Sequence, residues 1–344
     1  MVKESRKYWP MVSAYSFAHF VMDFSCAFLM FRFIAETPQA MLCVLLYNFC
    51  AFALQMPIGL IADKANRNVV FALCGCLLAL AAYLFVGLPL AAVLVAGVGN
   101  ALFHIGGAID VLNVSKVRLS ALGLFVSPGA FGVYLGTLLG RGSSVSALWF
   151  PAILVAAAAL ILLAKRVRNE AFVQNVPLSL EGLGTRRFLI AAACFFLVVC
   201  LRSFLGLSLD FDWKGVGYWG VSLACALVFG KALGGFAADR FGITRTACVS
   251  LGSAALLFLL SGIAPAGLAA VLLFNMTMPI TLFAMAKIMP GARGFAFGLL
   301  TFGIFLGFLP VYLGLESPSG APWFFALVAA VSLVILWLGL KRTQ

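Results

Sequence analysis

Five ionisable side chains interrupt stretches of the chain that are otherwise apolar: His19, Asp23, His104, Arg202 and Lys231. His19 and Asp23 are four residues apart, as are Asn100 and His104, so on a helix each pair shares one face. An ionisable group at the centre of an apolar span costs roughly 2.5–3.5 kcal/mol or more, and it marks a cavity or a partner. Asp23 is the best single proton carrier of the five, with His19 beside it for proton coupling. Histidine titrates near neutrality, which suits His19 and His104 to relaying or sensing protons. Arg202 offers a planar fork to a carboxylate or phosphonate and Lys231 a point charge, so the pair suits an anionic or strongly polar group. Asn100, His104 and Asn48 complete the expected binding set, and Gln55, Asn275 and Thr277 are further polar candidates. Competing readings stand beside each. Asp23 and Arg202 would also serve as a permanent salt bridge, each histidine as a satisfied interhelical hydrogen bond, and Lys231 as a side chain reaching for the membrane surface. Asp110 is expected to pair with Arg67 or Arg118.

The elements that hold these residues follow from composition. Of 344 residues, 64% are hydrophobic and 10% charged, against about 25% charged in a soluble domain. That excludes an ordinary soluble enzyme, a disordered chain and a nucleic-acid binder. Twelve apolar runs fall near 8–33, 40–62, 69–87, 89–112, 119–140, 145–165, 187–209, 216–238, 246–265, 267–287, 293–314 and 322–340. Each is long enough for a membrane helix, the default in lipid because its backbone hydrogen bonds close internally. Counting ~1.5 Å per residue, His19 and Lys231 lie near mid-membrane. Asp23 and Arg202 lie further towards one side and His104 towards the other. The first run has no small-residue cleavage site and reads as a retained span.

The net charge of +12 is an orientation signal. Basic residues recur in alternate gaps: Lys3, Arg6 and Lys7, then Lys64 and Arg67, Lys116 and Arg118, a cluster from Lys165 to Arg187, Arg240 and Arg245, Lys287 and Arg293, Lys341 and Arg342. They account for 18 of the 23 Lys and Arg, and the opposite gaps hold only Arg32, Arg141 and Lys214. Cytoplasmic loops carry this excess, so both termini are expected in the cytoplasm, with the bacterial cytoplasmic membrane as the location. The nine cysteines sit in or beside apolar runs and make no zinc or redox spacing. No nucleotide-binding loop or metal cluster is evident, so no cofactor, metal or catalytic residue is expected.

A repeat emerges at the ends of the second and eighth runs. Gly59-Leu-Ile-Ala-Asp63-Lys64-Ala-Asn66-Arg67 and Gly235-Phe-Ala-Ala-Asp239-Arg240-Phe-Gly242 both read Gly-x-x-x-Asp-basic, 176 residues apart. The longest loop, 166–186, lies between them. The chain therefore divides into an N-terminal six-helix bundle (1–165), a linker (166–186) and a C-terminal six-helix bundle (187–344), a parallel repeat.

The duplicated loop resembles motif A of the major facilitator superfamily. Its first copy departs by having Asn66 for the second glycine and Asn68 for the last basic residue. Ala18-His19-Phe20 with Asp23, Asn100-Ala-Leu-Phe-His104, Arg202-Ser203 and Pro290-Gly with Gly294 and Gly298 resemble the fosmidomycin-resistance-like branch. The resemblance implies an all-α polytopic fold of about twelve helices in two pseudo-symmetric bundles, with helices 1, 4 and 7 lining a central cavity. It implies a gate made of Asp63, Arg67, Asp239, Arg240 and Arg245. The two aspartates are expected near the starts of helices 3 and 9, where a carboxylate suits the positive dipole end, and the arginines are expected to pair across the gap. Ser127-Pro128-Gly129 with Gly132 and Gly136 is similar to the helix-5 antiporter signature, with Pro128, Gly129 and Gly132 as the hinge; close packing of small residues is the simpler alternative.

The expected protein is a monomeric secondary transporter in the lipid bilayer that moves a small anionic or polar molecule by alternating access. It is coupled to protons, with efflux favoured on the resemblance. A membrane-embedded lipid or acyl transferase is the rival enzyme reading. A seven-helix receptor would need fewer spans and an outside N-terminus, and a lipid flippase of the same fold is the third rival.

Overall fold

The computed structural model describes residues 7–115, 118–142, 145–180, 184–315 and 321–343; Lys3, Arg6 and Lys116 of the basic clusters lie outside them. The spans are α1 (Trp9–Ile34), α2 (Ala40–Ala65), α3 (Asn68–Phe85), α4 (Pro89–Val114), α5 (Leu119–Arg141), α6 (Trp149–Val167), α7 (Arg186–Ser208), α8 (Trp219–Phe241), α9 (Ile243–Phe258), α10 (Ala264–Ile288), α11 (Arg293–Tyr312) and α12 (Pro322–Lys341). Eleven are long and apolar enough to cross a membrane, and α9, at 16 residues, is the short one. No strand occurs among the described residues. The chain is an all-α, multi-pass integral membrane protein.

Helix boundaries follow local chemistry. Prolines at the first turn open α1, α4, α10 and α12, where the missing N–H removes no intrahelical bond. Asn66 closes α2 at φ +51° and Gly242 separates α8 from α9 at φ +86°. These are equivalent positions of the sequence repeat, but the turns differ: Asn66 is left-handed helical at ψ +42°, which asparagine tolerates, whereas Gly242, at ψ +150°, lies in a region that is essentially glycine's. The ninth apolar run overran its helix. Leu259, Leu260 and Ser261 donate to Leu256, Leu257 and Phe258, so the chain winds up in three-residue turns. Hydropathy does not register that ending because Leu259 and Leu260 remain apolar and exposed.

The helices are interrupted where function is expected to sit. α5 breaks at Ser127, before Pro128, whose ring nitrogen cannot donate to the carbonyl of Leu124. α2 carries a π-turn at Phe49–Ala53, closed by Leu54 N–H donating to Phe49 O at 3.2 Å. Such turns are frequent at functional sites. α10 breaks at Met276, three residues before Pro279.

Helices α1–α6 pack chiefly on one another, as do α7–α12, and the two main seams between the sets are α2 on α11 and α5 on α8. Both seams depend on glycine. A Cβ at Gly59 would strike the backbone of Gly294, and one at Gly235 would lie 2.7 Å from Leu119 O. Gly132, Gly136 and Gly140 of α5 lie against the backbone or β-carbons of α1 from Phe20 to Arg32.

The described part of the segment between the sets is docked against the helices. After a short turn at Asn169–Ala171, the chain crosses the basic-loop end. Asn175 exchanges side-chain hydrogen bonds with Asn68 (2.7 and 3.1 Å), accepts from Asn113 at 2.9 Å and donates its backbone N–H to Asn66 Oδ1 at 2.9 Å. Asn66 also donates to Gln174. Further on, Ser179 N–H meets Gly291 O at 3.3 Å.

Candidate functional site

Asp63 and Asp239 do not cap α3 and α9 as the sequence suggested. Asp63 accepts from the backbone N–H groups of Gly294 (2.8 Å) and Phe295 (2.9 Å), at the start of α11. Asp239 accepts from those of Leu119 (2.7 Å) and Ser120 (3.0 Å), at the start of α5. Neither helix caps itself with a side chain, so each N-terminus is satisfied from the opposite set. A helix N-terminus presents unpaired N–H groups and positive dipole charge. In both copies the glycine four residues earlier lies on the same face and lets the foreign backbone approach. Gly-x-x-x-Asp is thus one device: a glycine notch and a carboxylate clasp.

The expected arginine partnerships do not form. Arg67, Arg240 and Arg245 are exposed and make no ion pair among the described residues; Arg240 lies over the Phe241 ring at 5.6 Å. Their stems end beyond the seam, where solvent reaches them. Arg293 is the cation that crosses: its Nη1 donates to Asn113 Oδ1 at 2.6 Å, tying α11 to α4. In the sequence, Arg293 stands out only as an orientation charge. Asp110 pairs with neither Arg67 nor Arg118. It accepts from Tyr15 and Asn68, both at 2.7 Å, because its side of α4 faces α1 and α3.

Replacing Asp63 or Asp239 by asparagine leaves one neutral acceptor for two donors. Hydrogen bonds to a charged group are worth about 1.5–3 kcal/mol, so either change is expected to disfavour closure of this end by ~10-fold or more. Labelling of a cysteine at the buried Ala62 by an impermeant maleimide, in a background without other cysteines, measures this. Unchanged labelling would show that the clasps are dispensable.

Deep between the helices, α1 and α4 bring His19, Asp23 and His104 together. His19 Nε2 lies 3.2 Å from Asp23 Oδ2, His104 Nε2 lies 3.8 Å from Asp23 Oδ1, and the two Nε2 atoms are 2.9 Å apart. The opposite ring nitrogens are committed elsewhere. His19 Nδ1 contacts Phe125 O at 2.7 Å and His104 Nδ1 contacts Asn100 O at 2.9 Å. Carbonyl oxygens only accept, so each Nδ1 carries a proton. Two Nε2 atoms and a carboxylate therefore converge, the Nε2 pair at hydrogen-bond distance, and a proton or another cation shared among them would satisfy all three. The break before Pro128 lies beside Phe125, so the interrupted helix supplies the carbonyl that sets the His19 tautomer.

The surroundings are specific. Asn100 Nδ2 donates to Asp23 Oδ1 at 3.0 Å and lies 3.4 Å from Tyr47 OH. A Cβ at Gly129 would touch both His19 Nε2 and Asp23 Oδ2, so a side chain there would fill the space beside the donor atoms. Gly129 and Gly132 are packing positions on α1, while Pro128 sits at the helix break.

Arg202 and Lys231 come from the other set. Arg202 is 8% exposed, and its Nη1 donates to Thr281 Oγ1 at 3.3 Å. It forms no ion pair with Asp23, which removes the permanent salt-bridge reading. Lys231 makes no hydrogen bond or ion pair among the described residues, and it lies within electrostatic range of Arg202, Asp23 and His104. Asn48 donates to Val44 O at 2.8 Å, within its own helix. Asn275 and Thr277 likewise bond to carbonyls of α10, at 2.8 Å each. Tyr47 and Thr281 were absent from the expected set; hydroxyls inside apolar runs carry no spacing signal that would single them out.

No family model and no curated protein matches the sequence. The fold does match solved structures, and they are major facilitator superfamily transporters. The E. coli fucose:proton symporter FucP, in its outward conformation, superposes with a TM-score of 0.70 at 15% identity over 98% of this chain and 100% of that one. A variant of FucP gives 0.67 at 15%, over 97% and 98%. The human organic anion transporter MFSD10 gives 0.69 at 15%, over 96% and 99%. The class defined by the architecture is thus the major facilitator fold.

Proposed function

We propose that this chain is a secondary transporter that moves a small anionic or polar organic solute by alternating access, with proton coupling and export as the favoured direction. The observation that carries this reading is the facing of two unlike half-sites deep in the spans. One set of helices offers a cation-seeking triad, His19, Asp23 and His104, and the other offers Arg202 and Lys231 with no carboxylate bound to them among the described residues. A low-dielectric cleft with unneutralised cations recruits an anion, and a carboxylate with two imidazoles takes up a proton. The similarity in fold to a proton symporter and to an organic anion transporter accords with both.

Residues 1–165 and 187–344 would move as two bundles joined by 166–186. With the basic loops in the cytoplasm, the end held by Asp63 and Asp239 is the cytoplasmic one. Breaking the clasps and rocking about α5, with Pro128 as the flexible point, would expose the site to that side. A transferase would need none of these clasps.

Reconstitution in liposomes tests the proposal. A panel of carboxylates and phosphonates is added outside, with a pH-sensitive dye inside. Solute-dependent proton movement is expected from the parent protein. Asp23→Asn should abolish accumulation driven by a pH gradient while solute exchange persists; undiminished accumulation in that variant removes Asp23 from the coupling step.

A further inference from the structure

The chain has only two histidines, and although 85 residues separate them they meet at one carboxylate. We propose that His19 Nε2, His104 Nε2 and one Asp23 oxygen form a binding site for a divalent first-row transition-metal ion, of which Zn2+ is the type. The inference deepens the reading of this site as the transport centre and rests on it only for the role of the ion, not for the binding itself.

Four observations carry it. First, the two Nε2 atoms are 2.9 Å apart, and they lie 3.2 Å from Asp23 Oδ2 (His19) and 3.8 Å from Asp23 Oδ1 (His104). Ligands held at about 2.0–2.1 Å from a tetrahedral ion stand roughly 3.3–3.4 Å apart, so small side-chain shifts seat the ion. All three ligand atoms lie within 4.8 Å of one another. Second, both imidazoles are oriented from behind by a backbone carbonyl on Nδ1. That is the outer-shell arrangement that fixes the tautomer of a metal-ligating histidine and leaves the Nε2 lone pair free. Third, Asn100 Nδ2 holds Asp23 Oδ1 and so orients the carboxylate. Fourth, Gly129 keeps clear the space beside His19 Nε2 and Asp23 Oδ2. Two imidazoles and a carboxylate suit Zn2+, Co2+ and Ni2+ better than the all-oxygen cations Mg2+ and Ca2+.

Three protein ligands leave a coordination position for an outside group. Lys231 acts electrostatically on this site and has no ion pair among the described residues, so the group that enters is an anion. The substrate class is then a carboxylate- or phosphonate-bearing solute that ligates the metal at one point and meets Lys231 and Arg202 at others. Sequence spacing expected no metal, because the two halves of the ligand set lie on different helices and each is too short to read as a motif.

The test uses the full chain purified in detergent with a histidine-free affinity tag, stripped with EDTA and titrated with CoCl2. One Co2+ per chain is expected, with the strong visible bands of four-coordinate nitrogen and oxygen ligation and without the near-ultraviolet thiolate bands that cysteine would give. Zn2+ should displace it and should raise the melting temperature of the protein. His19→Gln and His104→Gln should each weaken binding by about 100-fold, at or beyond the effect of losing an outer-shell partner. Gly129→Ala should do so by filling the space. Melting of each variant without metal shows whether it is folded. Absence of a saturable Co2+ spectrum in the parent protein, or an equal one in folded histidine variants, overturns the proposal. Proton-coupled solute flux in liposomes containing EDTA is measured on the same preparations. Flux without metal binding refutes the metal and leaves the carrier; metal binding without any solute flux supports the metal and refutes the carrier.

Discussion

Leucine at Gly298 is expected to hold the clasped end of the molecule open and to abolish transport. Gly298 of α11 faces α2 so closely that even a Cβ would overlap the carbonyl of Gln55 and the Cα of Met56. These are backbone atoms, which cannot swing aside as a side-chain tip can. Inserting bulk into a well-packed contact costs about 1–3 kcal/mol where side chains yield, and here the only relief is to separate the helices. Separation at Gly298 also lifts Gly294 and Phe295 off Asp63, so the steric penalty and the loss of two charge-assisted hydrogen bonds act together. A closed-state population reduced by ~100-fold or more follows from roughly 3 kcal/mol or above. Spin labels at the exposed positions 64 and 287, in a background without cysteines, should move apart in the Gly298→Leu protein. Gly252→Leu, on α9 where an added Cβ would meet only a Leu333 side-chain carbon at 4.0 Å, controls for general disruption. An unchanged label distance in Gly298→Leu would mean that the α2–α11 seam is not the gate.

That seam also marks the limit of what the sequence discloses. Gly-x-x-x-Asp at two places 176 residues apart says that a glycine and a carboxylate share a helix face, and the face is real. It does not say which helix N-terminus the carboxylate meets. The local candidate, the next helix in the chain, was the wrong one, because α11 and α5 come from the opposite set. The depth of His19, Asp23 and His104 was legible from span counting, and the i,i+4 spacing placed His19 beside Asp23. The 2.9 Å approach of His104 to His19 depends on how α1 packs against α4, through glycines and small side chains that carry no pairwise code. Asn175 is the clearest case of an illegible residue. It lies outside any helix, between α6 and α7, and its contacts with Asn66, Asn68 and Asn113 arise only after α2, α3 and α4 have been assembled. Counting apolar runs constrained the fold well because it depends on composition along one coordinate, the membrane normal. Site geometry depends on the two coordinates within the plane.

Arg202→Gln is expected to separate stability from binding. Arg202 is 8% exposed and its one side-chain partner among the described residues, Thr281, is a neutral hydroxyl at 3.3 Å that also bonds to the carbonyls of its own helix. No carboxylate neutralises it among the described residues, and Lys231 adds a like charge within range. A buried ion without a counter-charge carries a desolvation penalty of several kcal/mol. A brace would be built the other way, with an acidic partner, and Asp23 is engaged elsewhere. Glutamine keeps a hydrogen bond to Thr281 and removes the charge, so the solute-free protein should melt at the same temperature or a few degrees higher. Solute binding should fall by ~30-fold or more, the scale of about 2 kcal/mol or above for truncating one partner of a buried charge pair. Arg202→Lys restores charge without the planar fork and should recover part of the affinity if the bound group is a carboxylate or phosphonate. A fall in melting temperature with undiminished solute affinity would show instead that Arg202 holds α7 to α10, and the anion would have to be sought at Lys231 alone.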